Sequence, residues 1–374
     1  MPAIKVLCAA TSYPANLNDW RGVFIRHLVD ALARRSDLEL SVWAPPGPLP
    51  DNVRYVPTPA EERTLNALMA AGGIAHVMRS LQPSALLAPL KLLRSLHAAY
   101  RRESTTALYH LNWLQTALPL PRDGKPLLVT VLGTDLKLLK LPLVKPLLRR
   151  VMRDRKVAIC PNAEWMQPIL ERTFGDVAQV QPVPFGIDPL WYDIERKLEP
   201  EQPVWLAVTR LTRDKLGPLF EWSEPLFKGK SRQLHLLGPM QEQTEIPSWV
   251  HYHGPATPEQ LATRWFPKAH GLITLSEHAE GRPQVMLEAM AAGLPILASD
   301  MPAHASLVQN NITGALCRER EDYTVGMQKL EDSAVNMQCG TNARSWVQEA
   351  VGTWDDCAHR YLTIYNALLS HPDA

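Results

Sequence analysis

The chain has 374 residues and lacks most of the short signatures by which enzymes are sorted. Its five cysteines (Cys8, Cys160, Cys317, Cys339 and Cys357) are scattered, odd in number and without a Cys-x-x-Cys pair. That argues against a disulfide framework or structural zinc and for a reducing compartment. No run of about 18 or more uncharged apolar residues exists, so no membrane-spanning helix is expected. The opening "MPAIKVLCAATSYP" reads as a first strand followed by turn residues rather than as a signal peptide. A net charge of +1 gives no global pull toward nucleic acid. Glycine is modest at 19 and proline frequent at 33, which fits many turns but no collagen-like or low-complexity tract. No repeat recurs at a solenoid period. The first strand is not followed by Gly-x-Gly-x-x-Gly, and there is no P-loop and no Gly-x-Ser-x-Gly. Asp-x-Asp, the simplest carboxylate clamp for a metal–nucleotide complex, is absent, as is any His/Cys/carboxylate cluster at metal-ligand spacing. The expectation is a site without metal or bound cofactor.

What is there is alternation. Ile4 to Ala10, Leu38 to Ala44, Leu108 to Leu111, Leu127 to Leu132 and Val157 to Cys160 read as strands, with helical segments such as Val23 to Arg35 between most of them. This is a doubly wound α/β pattern. The stretch "QPVPFGIDPLWYDIERKLEPEQP" breaks the rhythm with five prolines. The alternation restarts in "PVWLAVTR", "RQLHLLG", "VHYHG", "GLITLS" and "PILASD". The expected organisation is a first domain over 1–188, a linker over 189–202 and a second domain over 203–350. A helical tail follows from Arg344 to Leu369, its last part, about 352–370, returning to the first domain.

The segment "ITLSEHAEGRPQVMLEAMAAGLPILASD" holds Glu280 and Glu288 in mostly apolar surroundings. It reads as strand, loop, helix, strand. Pro283 suits the first helical turn and Gly293 suits the helix end. Side chains on a helix lean toward its N-terminus, so Glu288 leans toward the loop that carries Glu280. That loop lies at the C-terminal ends of the strands, where open α/β sheets bind ligands. Glu288 is either one half of an internal salt bridge to an arginine or, like Glu280, an acceptor for ligand hydroxyls, as in a sugar or a ribose.

Further candidates sit at other strand ends. Arg210 ends "PVWLAVTR" and Lys215 follows just before Gly217; two cations there suit a diphosphate. Gly22 lies between the first strand and the first helix, where a backbone approach to an anionic ligand is conceivable. His110 ends the strand in "LYHLNW", with a structural or a catalytic role open to it. Asp135, in "LGTDLK", is a helix cap, a cleft residue or both. Two leucine-rich basic segments, 85–102 and 136–156, are either amphipathic helices with solvated basic faces or contacts for an anionic membrane surface.

Taken together these residues resemble the family 4 retaining glycosyltransferases. "EGRPQVMLEAMAAGLPILASD" is similar to that family's Glu-Gly-x-Pro…Leu-Glu-Ala-Met-Ala-x-Gly-x-Pro signature. "RLTRDK", "VPFGID" and "NITGAL" resemble further family segments, and recognisable pieces run from about residue 10 to 315. The resemblance implies an α/β chain of two Rossmann-like domains (the GT-B fold) with a cleft between them. It implies transfer of a sugar, with retention and no essential metal, from a nucleotide-sugar to a saccharide or lipid-linked acceptor. Bacterial surface-polysaccharide or glycoconjugate assembly, in the cytoplasm or on the inner membrane face, would be the setting. On this reading Arg210 and Lys215 bind the donor diphosphate, Glu288 holds the ribose and Glu280 with Gly281 meets the donor sugar. The Gly22 loop closes over donor or acceptor, and the departing phosphate helps to deprotonate the acceptor. Glu280, Asp135 and His110 are the catalytic candidates. The chain departs from the family where Leu132 replaces a histidine in His-Gly-x-Asp and where Phe185 replaces an asparagine. An epimerase or hydrolase of nucleotide-sugars, or a non-catalytic nucleotide-binding scaffold, are the competing readings.

Overall fold

The computed structural model of the chain describes residues 3–17, 19, 21–71, 83–199, 201–278 and 280–370, with only the backbone at 83–86. Trp20 ahead of Gly22, Pro200 of the proline-rich stretch and the side chains of Ala85 and Leu86 in the first basic segment lie outside the described residues. The chain divides into two compact units, one of Met1–Phe185 with Trp354–Ala374, the other of Gly186–Thr353.

The first unit is built on β1 (Ile4–Ala9), β2 (Leu38–Trp43), β3 (Arg54–Tyr55), β4 (Leu108–Asn112), β5 (Leu127–Val131), β6 (Val157–Pro161) and β7 (Gln179–Val180). All pairings are parallel, in the order β3-β2-β1-β4-β5-β6-β7. The strands read as apolar runs because both faces are covered. Their side chains still alternate. Val6, Cys8 and Leu108 enter one core, and Leu7, Ala9 and Tyr109 enter the other. The first core is closed by the helices Val23–Ala33 and Trp354–Leu369. The second is closed by Pro83–Arg102, Val144–Met152 and Gln167–Phe174.

The second unit repeats the plan with β8 (Val204–Val208), β9 (Gln233–Leu237), β10 (Val250–Tyr252), β11 (Gly271–Thr274), β12 (Ile296–Ser299) and β13 (Gly314–Cys317). The order is β10-β9-β8-β11-β12-β13, again parallel throughout. The proline-rich stretch adds Trp191 and Ile194 to this unit's core. The helical tail is two helices, Ser333–Ala350 and Trp354–Leu369. They are parted at Gly352, and the chain passes from the second unit to the first after Thr353.

In each sheet the order of connection reverses once, between β1 and β4 and between β8 and β11. The loops after two such strands part to opposite faces, which leaves a crevice at the carboxyl ends. The second reversal is where the charged candidates fall.

Candidate active site

Strands β8 and β11 are neighbours, with Leu206 opposite Leu272, although 66 positions separate these residues. After β8, Thr212 accepts the N–H of Lys215 at 3.3 Å and starts the short helix Arg213–Leu216. The helix stops at Gly217, with φ +51°, where a Cβ would stand 2.1 Å from the Leu275 carbonyl oxygen. Only glycine lets this turn lie so close to the end of β11. The contact is fastened by the Glu277 N–H, which donates to the Asp214 carbonyl at 2.8 Å. Two loops far apart in sequence are thereby latched together.

The latch delivers Lys215 to Glu280. The ammonium lies 2.5 Å from Oε2, with side-chain exposures of 11 % for Lys215 and 19 % for Glu280. The other carboxylate oxygen, Oε1, is 3.9 Å from Nε2 of His304. Burial pushes the Glu280 carboxyl up, but His304 and Lys215 outweigh it and hold it below the usual carboxylate range. Arg210 leaves the end of the same strand as Lys215 and is partly exposed, its Nη1 within 3.5 Å of Gln241 Oε1. Gly281, next in the chain after Glu280, is buried.

Glu288 sits on the second turn of the helix Gln284–Ala291. Among the described residues no arginine pairs with it, so the internal salt bridge does not form. Burial, with a smaller contribution from the Asp188 carboxylate, pushes its carboxyl up to about 7, although the residue keeps a partly exposed surface. The opposite end of this helix is heavily capped. Arg344 donates to the carbonyls of Ala291 at 2.9 Å and Ala292 at 3.0 Å, and Arg196 donates to that of Gly293 at 2.6 Å. Two cations at a helix C-terminus complement its dipole and fix its axis. Burial and the neighbouring Arg344 lower the Arg196 guanidinium to about 10.

The candidates of the first unit lie differently. His110 is a correction: it is fully buried, with Nδ1 2.5 Å from the Tyr365 hydroxyl and Nε2 2.8 Å from Thr130 Oγ1. Tyr361 packs on the ring, and burial lowers the imidazole to about 3. Both nitrogens are occupied, and His110 joins the terminal helix to the sheet, the structural one of the two roles open to it. Asp135 is also enclosed. Oδ2 accepts the Leu114 N–H and Oδ1 the Leu132 N–H, both at 3.1 Å. It ties the loop after β5 to the loop after β4. Burial raises it to about 6 against the opposing backbone hydrogen bonds. Gly22 has φ +70°, and a Cβ there would come within 2.8 Å of Ser12. Its backbone makes close approach to its own chain, the Ser12–Tyr13 segment.

Several contributors were not legible as site residues: His304, Ser299, Gly217, Asp188 and Arg196. His304 follows a strand end, in "ASDMPAH", which is the single positional hint. Arg196 stands within the proline-rich stretch, where nothing local marks it as a cap.

Two parallel-sheet units with reversed strand order and charged groups at the strand ends make this the GT-B fold of glycosyltransferases. Residues 228–346, from just before β9 into the helix Ser333–Ala350, match the family described as "Glycosyl transferases group 1". That span contains Glu280, Gly281, Glu288 and His304; Arg210 and Lys215 precede it. Among solved structures, sucrose-phosphate synthase from Thermosynechococcus elongatus is similar at TM-score 0.72 and 18% identity, over 98% of this chain and 99% of that one. HepE from Anabaena, in complex with UDP-glucose, is similar at 0.64 and 14%, over 98% and 100%. The lipopolysaccharide outer core galactosyltransferase WaaB is similar at 0.65 and 13%, over 97% and 100%. At these identities the likeness establishes the fold. No curated protein matches the sequence.

The raised Glu288 carboxyl has a measurable sign. Its folded-state value of about 7 stands above the ordinary 4.5, so the folded protein binds the extra proton. The stability it contributes is complete below the ordinary value and is lost as pH rises through about 7. Urea unfolding should show Glu288→Gln more stable than the parent at pH 8, with the gap closing toward pH 5. A difference independent of pH would show that the carboxyl is not held protonated.

Proposed function

We propose that the chain transfers a sugar from a nucleotide-sugar to a saccharide or lipid-linked acceptor, with retention and without an essential metal. The observation that carries this is the Lys215–Glu280 pair at the switch point of the second unit, with Glu288, on the helix that follows, in no ion pair among the described residues. A cation and a carboxylate side by side offer one grip for phosphate and one for hydroxyls. The family match over 228–346 supports glycosyl transfer, and the UDP-glucose held by HepE supports a nucleotide-sugar as donor. WaaB, a galactosyltransferase of a lipopolysaccharide core, supports a saccharide or lipid-linked acceptor and a role in surface-glycan assembly.

On this reading Lys215 and Arg210 take the diphosphate, Glu288 a ribose hydroxyl and Glu280 a donor-sugar hydroxyl. The bond from the anomeric carbon to the phosphate oxygen breaks while the acceptor oxygen bonds to the same face. The acceptor proton passes to the leaving phosphate oxygen. Fixed cations beside that oxygen stabilise the charge that develops on it.

The first unit supports a surface role as well. No helix among the described residues is long and apolar enough to cross a membrane. The helix Val144–Met152 sends Leu148 and Met152 into its own core. Leu141, Leu143 and Leu147 nevertheless stay 49 %, 71 % and 48 % exposed, among exposed Lys137, Lys140 and Lys145. Leu87 and Leu90, on the helix Pro83–Arg102 of the same layer, are 64 % and 53 % exposed. We propose that this layer meets an anionic membrane from the cytoplasmic side.

Replacing Glu280 with alanine should lower transfer by about 10²-fold or more while circular dichroism stays unchanged. A chelator should leave the parent's activity intact, and NMR of the product should show the donor's anomeric configuration. Near-parental turnover by folded Glu280→Ala would refute the assigned role. For the membrane reading, sedimentation with anionic vesicles should weaken with salt. It should fall again when Lys137, Lys140 and Lys145 are neutralised. Equal binding to neutral and anionic vesicles would contradict it.

A further inference from the structure

Beneath Glu280 lies a histidine that the donor-site reading leaves without a task. His304 follows β12 in the short helix Pro302–Ala305 and is fully buried. Its Nδ1 lies 3.0 Å from the Ser299 carbonyl oxygen and 3.1 Å from Ser299 Oγ. The Ser299 hydroxyl donates to the Ser276 carbonyl at 2.7 Å, so its proton is committed. Toward the ring, both serine oxygens can therefore only accept, and Nδ1 must carry a proton. That fixes the tautomer. Nε2 points toward Glu280 Oε1 at 3.9 Å and has no hydrogen-bond partner among the described residues. A buried polar atom left open in this way is costly.

The ring is well placed to receive Glu280. In the structure the carboxylate is held by Lys215. If Lys215 serves the donor, as the proposed function has it, the diphosphate competes for the same ammonium. Glu280 then loses its counter-ion in a site with little water. We propose that His304 is a positioning residue for Glu280, taking the carboxylate as a hydrogen-bond donor through Nε2 when a donor diphosphate draws Lys215 away.

The gap of 3.9 Å exceeds a hydrogen bond by about 1 Å, which a small rotation of Glu280 closes. With the Nδ1 proton committed to Ser299, donation from Nε2 makes the ring an imidazolium facing the carboxylate. Glu280 is the ionisable group set against the ring, and Lys215 lies on the far side of that carboxylate. Ser299 and Ser276 on the neighbouring elements are neutral, and Asp300 beside them is exposed. Glu277, His278 and Arg282 share the Glu280 loop.

The test is calorimetry of UDP-glucose, GDP-mannose, ADP-glucose and dTDP-glucose on the parent, His304→Leu, Glu280→Ala and the double variant. With the donor that binds, His304→Leu should weaken affinity by about fivefold in the parent and leave it unchanged in the Glu280→Ala background, since the ring acts through that carboxylate. Where His304→Leu fails to fold, His304→Gln carries the comparison. No weakening in the parent, or equal weakening in both backgrounds, would overturn the role of His304 while leaving the donor site standing. Binding of none of the four would overturn the donor-site reading and this inference with it.

Discussion

The site depends on one ion pair. Lys215 and Glu280 meet at 2.5 Å with most of each side chain out of water. Desolvating two charges is expensive, and their mutual attraction repays it only when the geometry is held for them. Such a pair adds little to stability. On the proposed reading it is a poised contact, since a ligand bringing phosphate to one partner and hydroxyls to the other can replace both halves at once. The two groups hold each other in direct contact.

Holding that geometry is the work of the backbone. Gly217 allows the turn after β8 to touch the end of β11, and the Asp214 carbonyl pins the second loop to the first. Behind the loop, the helix Gln284–Ala291 is anchored at its far end by Arg196 and Arg344, so Glu288 rides on a fixed axis. The first unit uses buried polar groups for architecture instead. His110 fastens the terminal helix across its sheet, and Asp135 gathers backbone N–H groups from two loops.

What was legible in the sequence was local. The strand, loop and helix around Glu280 announce themselves through an apolar run, Pro283 and Gly293 within a short span, and the structure has them as β11 and Gln284–Ala291. The α/β alternation was equally plain, because parallel strands covered on both faces are apolar throughout. Long-range partners were not legible. Lys215 and Glu280 are 65 positions apart, and His110 and Tyr365 are 255 apart. A histidine at a strand end looks the same whether its face is open or covered by a distant helix. β13 (Gly314–Cys317) does not read as a strand: it has no β-branched residue, whereas β11, equally short and also opening on glycine, carries Ile273 and Thr274. The helical tail read as continuous because its break at Val351–Thr353 is too short to interrupt the helical pattern.

The central claim is that Lys215, released from Glu280, binds a diphosphate without metal. A thermal-shift screen against UDP, GDP, ADP, dTDP and their common sugars, with chelator present, tests it most directly. The account predicts stabilisation by one nucleotide class, strongly reduced in Lys215→Ala. Stabilisation of equal size in Lys215→Ala, or none by any of these ligands, would contradict it.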